Sequence, residues 1–402
     1  MVLFIILIYT ANNLYYAHYV SPNQVEEARK IDDQFWDKSY ENIQIKNKYK
    51  LLIITTNGGE WAESKYLASG AKNLGWDSKI IFYTTNGHED EILKYDPDFI
   101  IFPIGIDYHI SQAIVSHRSK KFGIYYFPIN THIKDLNFEN PQNDLFPTEL
   151  YVFDESLKPN IKFSKMIRHS DALLITDKGI KIIEDYFTSI HRKFYGIRVV
   201  PSVNDNSLIP SKPQHISLIG LPMKDENRGS DKFRNMLKML TQDKILKTYG
   251  LESGFWFIPS SYQGYIEDAN DIIATLNKNG ISLIVHRMEH FENSAPTNRI
   301  MEAAAANSLV ICDKNPFVIE HFGDSVLYFD INIDSEAMYK QVRGHYDWAQ
   351  ANPEEAKKLA NRAHEIFKEK FTSEKDLIRI AKVYEKMLED EKKMNLEFPY
   401  KP

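Results

Sequence analysis

The sequence predicts two α/β domains in succession, each with a doubly wound parallel sheet. From Lys48 onward, short β-branched runs alternate with longer amphipathic stretches, the pattern of parallel strands joined by crossover helices. The alternation breaks at the polar, proline-bearing stretch Ser202–Pro213 and then resumes, as a linker between two domains would make it do. With 402 residues, 43% of them hydrophobic, the chain can fill two ordinary cores.

In the first half, strands are expected at Tyr49–Thr56, Ser78–Tyr83, Phe99–Ile104, Gly123–Phe127, Ala172–Thr176 and Ile197–Pro201. Helices are expected from about Glu60 to Leu74, from Glu89 to Lys94 and from near Lys178. In the second half the expected strands are Ile216–Gly220, Phe255–Pro259, Ile281–Val285, Leu309–Cys312 and Val326–Phe329. Helices near Asp231–Leu240, Tyr265–Lys278 and Asn298–Ala306 lie between them, and two long helices, Pro353–Lys370 and Ser373–Met394, close the chain. This gives an N-terminal extension (1–46), an N-terminal Rossmann-like domain (47–205), a second such domain (206–370) and a closing segment (371–402).

Composition excludes several function classes. The formal charge of -6, from 49 basic and 55 acidic residues, leaves no basic excess for a nucleic-acid backbone. The single cysteine, Cys312, sits in an apolar run and has no intrachain disulfide partner, which points to a cytoplasmic setting. Met1–Tyr9 is almost wholly apolar, yet too short to span a bilayer and without the basic leader of a secretory signal. A membrane-touching anchor, a buried strand and a misassigned start stay open for it. The acidic triplet Asp96-Pro97-Asp98 could hold a divalent metal, but it directly precedes an expected strand and reads as structural. His286, Glu289, His290 and Glu292 share one loop without metal-ligand spacing, so no metal site is expected.

The most informative stretch runs from His286 to Asp330. It leaves a strand, crosses a polar loop through Ala295 and Pro296, and starts a small-residue helix that Thr297 or Asn298 can cap. The free N–H groups of such a helix start attract a diphosphate. Arg299 adds a fixed positive charge, and Glu302, one turn in, can accept hydrogen bonds from both hydroxyls of a ribose. His286 and Arg287, at the strand end, are placed to line the same pocket.

Asn298-Arg299-Ile300-Met301-Glu302-Ala303-Ala304 resembles the donor-binding helix of group 1 glycosyltransferases, and more closely a spore-protein-like branch of that group. The resemblance implies the GT-B fold, in which two Rossmann-like domains face a cleft and C-terminal helices brace the N-terminal domain. It also implies that Glu302 holds the donor ribose. The wider group carries a second glutamate at the position of Ser294, where this chain departs from the pattern. Lys224 and Arg228, after the first strand of the second half, match the basic residues that such enzymes set on the diphosphate. In the first half, Asn57, Gly58 and Gly59 form a close-approach turn, and His132 is the candidate acceptor-side residue, with His109 its competitor.

The implied function is transfer of a sugar from a UDP- or GDP-type donor to a hydroxyl of a glycan, lipid or protein, with retention at the anomeric carbon. No separate cofactor is expected. Lys224, Arg228, Arg299 and the helix start would stabilise the leaving diphosphate without a metal. The alternative is a catalytically degenerate GT-B module that holds a nucleotide sugar or glycan. The composition leaves peripheral membrane contact open and says nothing of oligomeric state.

Overall fold

The computed structural model describes residues 48–55, 60–82, 89–102, 124–126, 172–175, 195–198, 203–220, 227–292 and 294–393. The chain divides into two units, Met1–Val199 with Asp376–Pro402, and Val200–Lys375.

The first unit is built on β1 (Lys50–Thr55), α1 (Glu60–Asn73), β2 (Asp77–Phe82), α2 (Glu89–Tyr95), β3 (Phe99–Phe102), β4 (Ile124–Tyr126), β5 (Ala172–Ile175) and β6 (Tyr195–Arg198). Its six strands lie in the order β2-β1-β3-β4-β5-β6, every pairing parallel. β1 is an interior strand, flanked by β2 and β3, and reads Lys-Leu-Leu-Ile-Ile-Thr, buried from Leu51 onward as interior strands of parallel sheets are. Ile53 pairs with Ile80 on one side and Ile101 on the other. At the foot of the sheet, the rings of Tyr49, Trp76 and Phe99 lie 4.8–5.7 Å apart. The acidic triplet is bonded into the entry to β3. Asp98 Oδ2 accepts from the Lys50 N–H at 2.8 Å, and Asp96 ends α2 in the left-handed region, its N–H donating to the Ile92 carbonyl.

The second unit contains β7 (His215–Ile219), α3 (Asp231–Gln242), β8 (Leu246–Tyr249), α4 (Ala269–Asn279), β9 (Gly280–Ile284), α5 (Met288–Glu292), α6 (Asn298–Ala305), β10 (Leu309–Asp313), α7 (Pro316–Phe322), β11 (Leu327–Phe329), α8 (Ser335–Ala351) and α9 (Pro353–Lys370). Its sheet has the order β11-β10-β9-β7-β8 and is parallel throughout. Phe233, Met236, Leu237 and Leu240 form the buried face of α3, packed with Ile216, Leu283 and Ile311 of the sheet. The last helix, α10 (Ser373–Lys393), starts in this unit and belongs to the first from Asp376 on. There Tyr49 donates its hydroxyl to Glu385 Oε1 at 2.9 Å.

The strand expected at Phe255–Pro259 is not one. The second strand of this unit is Leu246–Tyr249, and the apolar run lies between two short 3-10 turns. β8 is the last strand of the sheet, with β7 on one side and only an isolated bridge from Thr248 to Tyr262 on the other, so it alternates buried and half-buried residues and needs little apolar character. Phe255 and Ile258 are instead plugs beneath it, 1% and 2% exposed, while Trp256 between them is 72% exposed. α5, α7 and α8 were not anticipated; α8 opens on an Asp334 cap and buries Met338, Val342 and Ala349. The expected helix near Lys178 lies outside the described residues.

The proline-bearing linker lies against the second unit. Asn277 Nδ2 donates to the Ile209 carbonyl and Asn307 Nδ2 to that of Leu208, at 2.8 and 2.9 Å. Val203 forms a parallel bridge with Thr372. Gly280, which caps α4 and opens β9, adopts a φ of +80°, and a Cβ there would come within 2.5 Å of the Lys212 carbonyl oxygen. No helix among the described residues is long and apolar enough to cross a membrane.

Gly280→Ala should therefore destabilise the protein by about 2 kcal/mol or more, by adding left-handed strain to a clash with linker backbone. A urea midpoint equal to wild type would show that the linker yields freely at this point.

Candidate functional site

In the second unit β7 leads to β8 on one side, and the chain then returns to place β9 on β7's other side. This reversal makes the carboxyl ends of β7 and β9 the switch point, where open α/β sheets bind ligands. Two segments meet there. Asn227, after β7 and 3% exposed, donates from Nδ2 to the His286 carbonyl at 3.3 Å. Asn227 in turn accepts at its own carbonyl from Ser230 Oγ, the residue that caps α3 through the Phe233 N–H. Arg228 is thereby set beside the segment that follows β9.

That segment is shaped by Asp313, the last residue of β10. Its two carboxylate oxygens accept from the His286 N–H at 2.6 Å and from His286 Nδ1 at 2.7 Å. A carboxylate only accepts, so Nδ1 carries a proton and Nε2 is the outer nitrogen of the ring. Both residues are fully buried. Cys312 completes the cluster, its Sγ 3.6 Å from Asp313 Oδ1. Burial first, and then the Asp313 charge, pushes the thiol well above its ordinary value, so it stays protonated. The candidate ligand atoms of His286, Cys312 and Asp313 lie within 4.8 Å of one another, and the bonds among them already account for that closeness.

Beyond His286 the chain turns through α5. His290 Nδ1 accepts from the Arg287 N–H at 3.3 Å, and the His290 carbonyl accepts from the Ala295 N–H at 2.8 Å. The His286 and His290 rings lie 5.8 Å apart, edge to face. Burial, then His286, Arg228 and Arg287, hold the His290 imidazole well below its ordinary value. It is neutral at neutral pH, with its proton on Nε2. Ser294, where the wider group has a glutamate, is a backbone position. It ends α5 in the left-handed region at φ 50°, and the Ala295→His290 and Ser294→Phe291 bonds form a Schellman closure.

The chain then starts α6. Thr297 is the cap: its Oγ1 accepts from the Arg299 N–H at 3.0 Å, which settles the choice between Thr297 and Asn298. Ala295 and Pro296 are buried in the turn before it, and Asn315 Nδ2 holds the Ala295 carbonyl at 3.1 Å. Glu302 is buried, and its Oε2 accepts from Arg299 Nη1; the Arg299 side chain is 32% exposed. Arg299 and Glu302 are thus one ion-paired unit at the helix start.

Of the sequence-derived candidates, Arg228, His286 and Arg287 come together at the switch point. Ala295, Pro296, Thr297, Asn298, Arg299 and Glu302 form the turn and first helical turn that follow. Asn57, Gly58, Gly59, His132, His109 and Lys224 lie outside the described residues. Sequence reasoning missed Asp313 and Asn227, and considered His290 only as a metal ligand. The signals were an acid closing a core strand, an asparagine beside the candidate arginine, and a histidine four residues after His286.

Residues 234–382 match a family model described as glycosyl transferase-like. The matched segment gives the chain a glycosyltransferase domain, and it contains every described candidate except Arg228. No curated protein matches the sequence. Sucrose-phosphate synthase from Thermosynechococcus elongatus is 10% identical with a TM-score of 0.55, over 86% of this chain and 100% of that one. A glycosyltransferase from Rickettsia africae is 15% identical with a TM-score of 0.54, also over 86% and 100%. The fold is GT-B, as the sequence led us to expect; the spore-protein-like branch finds no specific counterpart in these matches.

Two stability measurements follow. Thr297→Ala should cost about 1 kcal/mol, the usual value of a helix cap. Because folding depresses the proton affinity of His290, the unfolded chain binds that proton more readily. The stability tied to the neutral ring is complete above about pH 6.5 and is lost as pH falls toward the folded-state value. The urea midpoint should drop from pH 6.5 to 5, and His290→Gln should flatten the drop; equal slopes in the two proteins would contradict it.

Proposed function

We propose that this protein transfers a glycosyl unit from a nucleoside-diphosphate sugar to a hydroxyl acceptor. The observation that carries the proposal is the concentration of Arg228 and Arg287 beside a neutral His290 at the switch point, with the capped start of α6 following. Cleavage of the donor's glycosidic bond leaves negative charge on the departing diphosphate. Fixed cations and N–H groups already in place lower the barrier because they do not reorganise as that charge appears. A metal is not needed for this task, and the resemblance to group 1 enzymes favours retention of configuration.

Each residue then has a role. Arg228 and Arg287 face the diphosphate, joined by Lys224 from the segment between β7 and α3. The start of α6 offers its Asn298 N–H to the same anion, the Arg299 N–H being held by the Thr297 cap. Glu302 accepts from the ribose hydroxyls, and Arg299 orients its carboxylate by occupying one oxygen. His132 and the Asn57-Gly58-Gly59 turn are proposed for the acceptor side. The donor is of UDP or GDP type, and the acceptor hydroxyl belongs to a glycan, a lipid or a protein.

Ser294 supports a second reading. A left-handed cap that closes α5 does not readily accept a glutamate, so the carboxylate of the wider group is absent for a structural reason. A chain built this way could hold the donor without turning it over. Slow release of free sugar from a donor without acceptor separates the two readings, since a binding module produces none.

Calorimetric titration with UDP and GDP, followed by their sugars, tests the main reading. Glu302→Ala should weaken binding roughly tenfold, the scale for loss of a charged hydrogen-bond acceptor, while the thermal midpoint stays within a few degrees of wild type. Unchanged affinity would take Glu302 out of the donor site. Failure of every nucleotide to bind would end the transferase proposal.

A further inference from the structure

We propose that the groove on the outer side of α4, flanked by the exposed ring of Tyr265, is a binding site for an uncharged oligosaccharide. The proposal takes from the glycosyl-transfer reading only the kind of ligand, and its residues are none of those assigned there to the donor or to the acceptor hydroxyl.

The groove has a volume of about 510 Å³ and lies between α4 and the stretch of chain that leads into it. Hydrogen bonds hold that stretch at both ends. The Gly264 carbonyl accepts from the Gly250 N–H at 3.0 Å and the Gln263 N–H donates to the Thr248 carbonyl at 2.9 Å, while Asp268 caps α4 through the Asn270 N–H at 2.8 Å. Tyr265, Ile266 and Glu267 are the residues between these anchors, and Tyr265 is 62% exposed although its backbone is fixed on either side. α4 buries Ile272, Ile273 and Leu276 on its inner face. Asp271, Ala274, Thr275 and Lys278 line the groove at the i, i+3, i+4 and i+7 spacing of the opposite face. Ala274 is the small residue in that row, so the floor stays open between charged neighbours.

The side chains select the ligand. Among the described residues, those of Tyr265, Glu267, Asp271, Thr275 and Lys278 make no hydrogen bond or ion pair within the protein, so each keeps its polar group for a ligand. An open aromatic face receives the C–H face of a pyranose ring, with the phenol hydroxyl as a polar handle. Two carboxylates accept from the ring hydroxyls, and the Thr275 hydroxyl and Lys278 ammonium donate to ring and hydroxyl oxygens. Two carboxylates against one ammonium disfavour a ligand carrying phosphate or uronate groups, which sets this groove apart from any site for the donor diphosphate. A bare metal ion fits poorly, because a hard cation such as calcium asks for about six or more oxygen ligands and Lys278 stands in the same groove. The volume is that of small-molecule sites and admits more than one sugar ring.

Saturation-transfer NMR of the whole protein with maltotetraose, cellotetraose, chitotetraose and mannotetraose tests this, with calorimetric titration of UDP on the same samples. At least one tetrasaccharide should bind wild type. Its affinity should fall about fivefold or more in Tyr265→Ala, which removes the stacking face. Binding should vanish in Ala274→Arg, whose side chain crosses the floor and pairs with Glu267 or Asp271. Both positions are exposed, so thermal melts of the variants should match wild type, and their UDP affinity should be unchanged. No binding of any of the four saccharides, binding undiminished by either variant, or UDP affinity lost together with saccharide binding would each overturn the proposal. A wild type that holds a tetrasaccharide but no nucleotide would instead end the transferase reading and leave the groove as proposed.

Discussion

The carboxylate of Asp313 organises the second unit's functional end. Buried without solvent, it has to be satisfied by protein donors, and His286 supplies two of them, a backbone N–H and a ring N–H. The pairing ties the end of β10 to the exit of β9, so the backbone leaves β9 in one direction only. Arg287, α5, His290 and the start of α6 all lie downstream of that exit.

A second constraint is electrostatic. Among the described acids near the switch point, Asp313 is bonded to His286 and Glu302 to Arg299. The neutrality of His290 is part of the same balance, because burial and nearby cations both oppose its protonation.

Packing fixes the site as firmly as charge does. α6 is wholly buried from Ile300 to Ala305, with small side chains that let the helix lie close against the sheet. Ser308 Oγ and the Ser282 hydroxyl, 2.6 Å apart, meet across β9 and β10 beneath it. On the far side, His364 Nδ1 of α9 donates to the Ala304 carbonyl at 2.9 Å. The linker is held by Asn277 and Asn307, on α4 and just after α6, so the chain running into this unit is attached to the same helices that shape the site.

Sequence alone determined the alternation of strands and helices, the position of α6 with Thr297 or Asn298 as its cap, and the candidacy of Arg299 and Glu302. These are local features: hydrophobic period, capping chemistry and the spacing of one helical turn act over a few residues. Sequence misplaced the second strand of the second unit, because the run Phe-Trp-Phe-Ile is more apolar than Leu-Lys-Thr-Tyr, and only the sheet reveals that the edge strand is half-exposed. Tertiary structure decided the site. Arg228, the His286–His290 stretch and Asp313 come from three separate stretches of chain; the last two meet because parallel β9 and β10 pair in the register Ile284↔Cys312, and Asn227 brings Arg228 to them. That register sets Asp313 against the residues just past β9, and a pairing of this kind depends on how strands associate across the sheet, which no local pattern specifies.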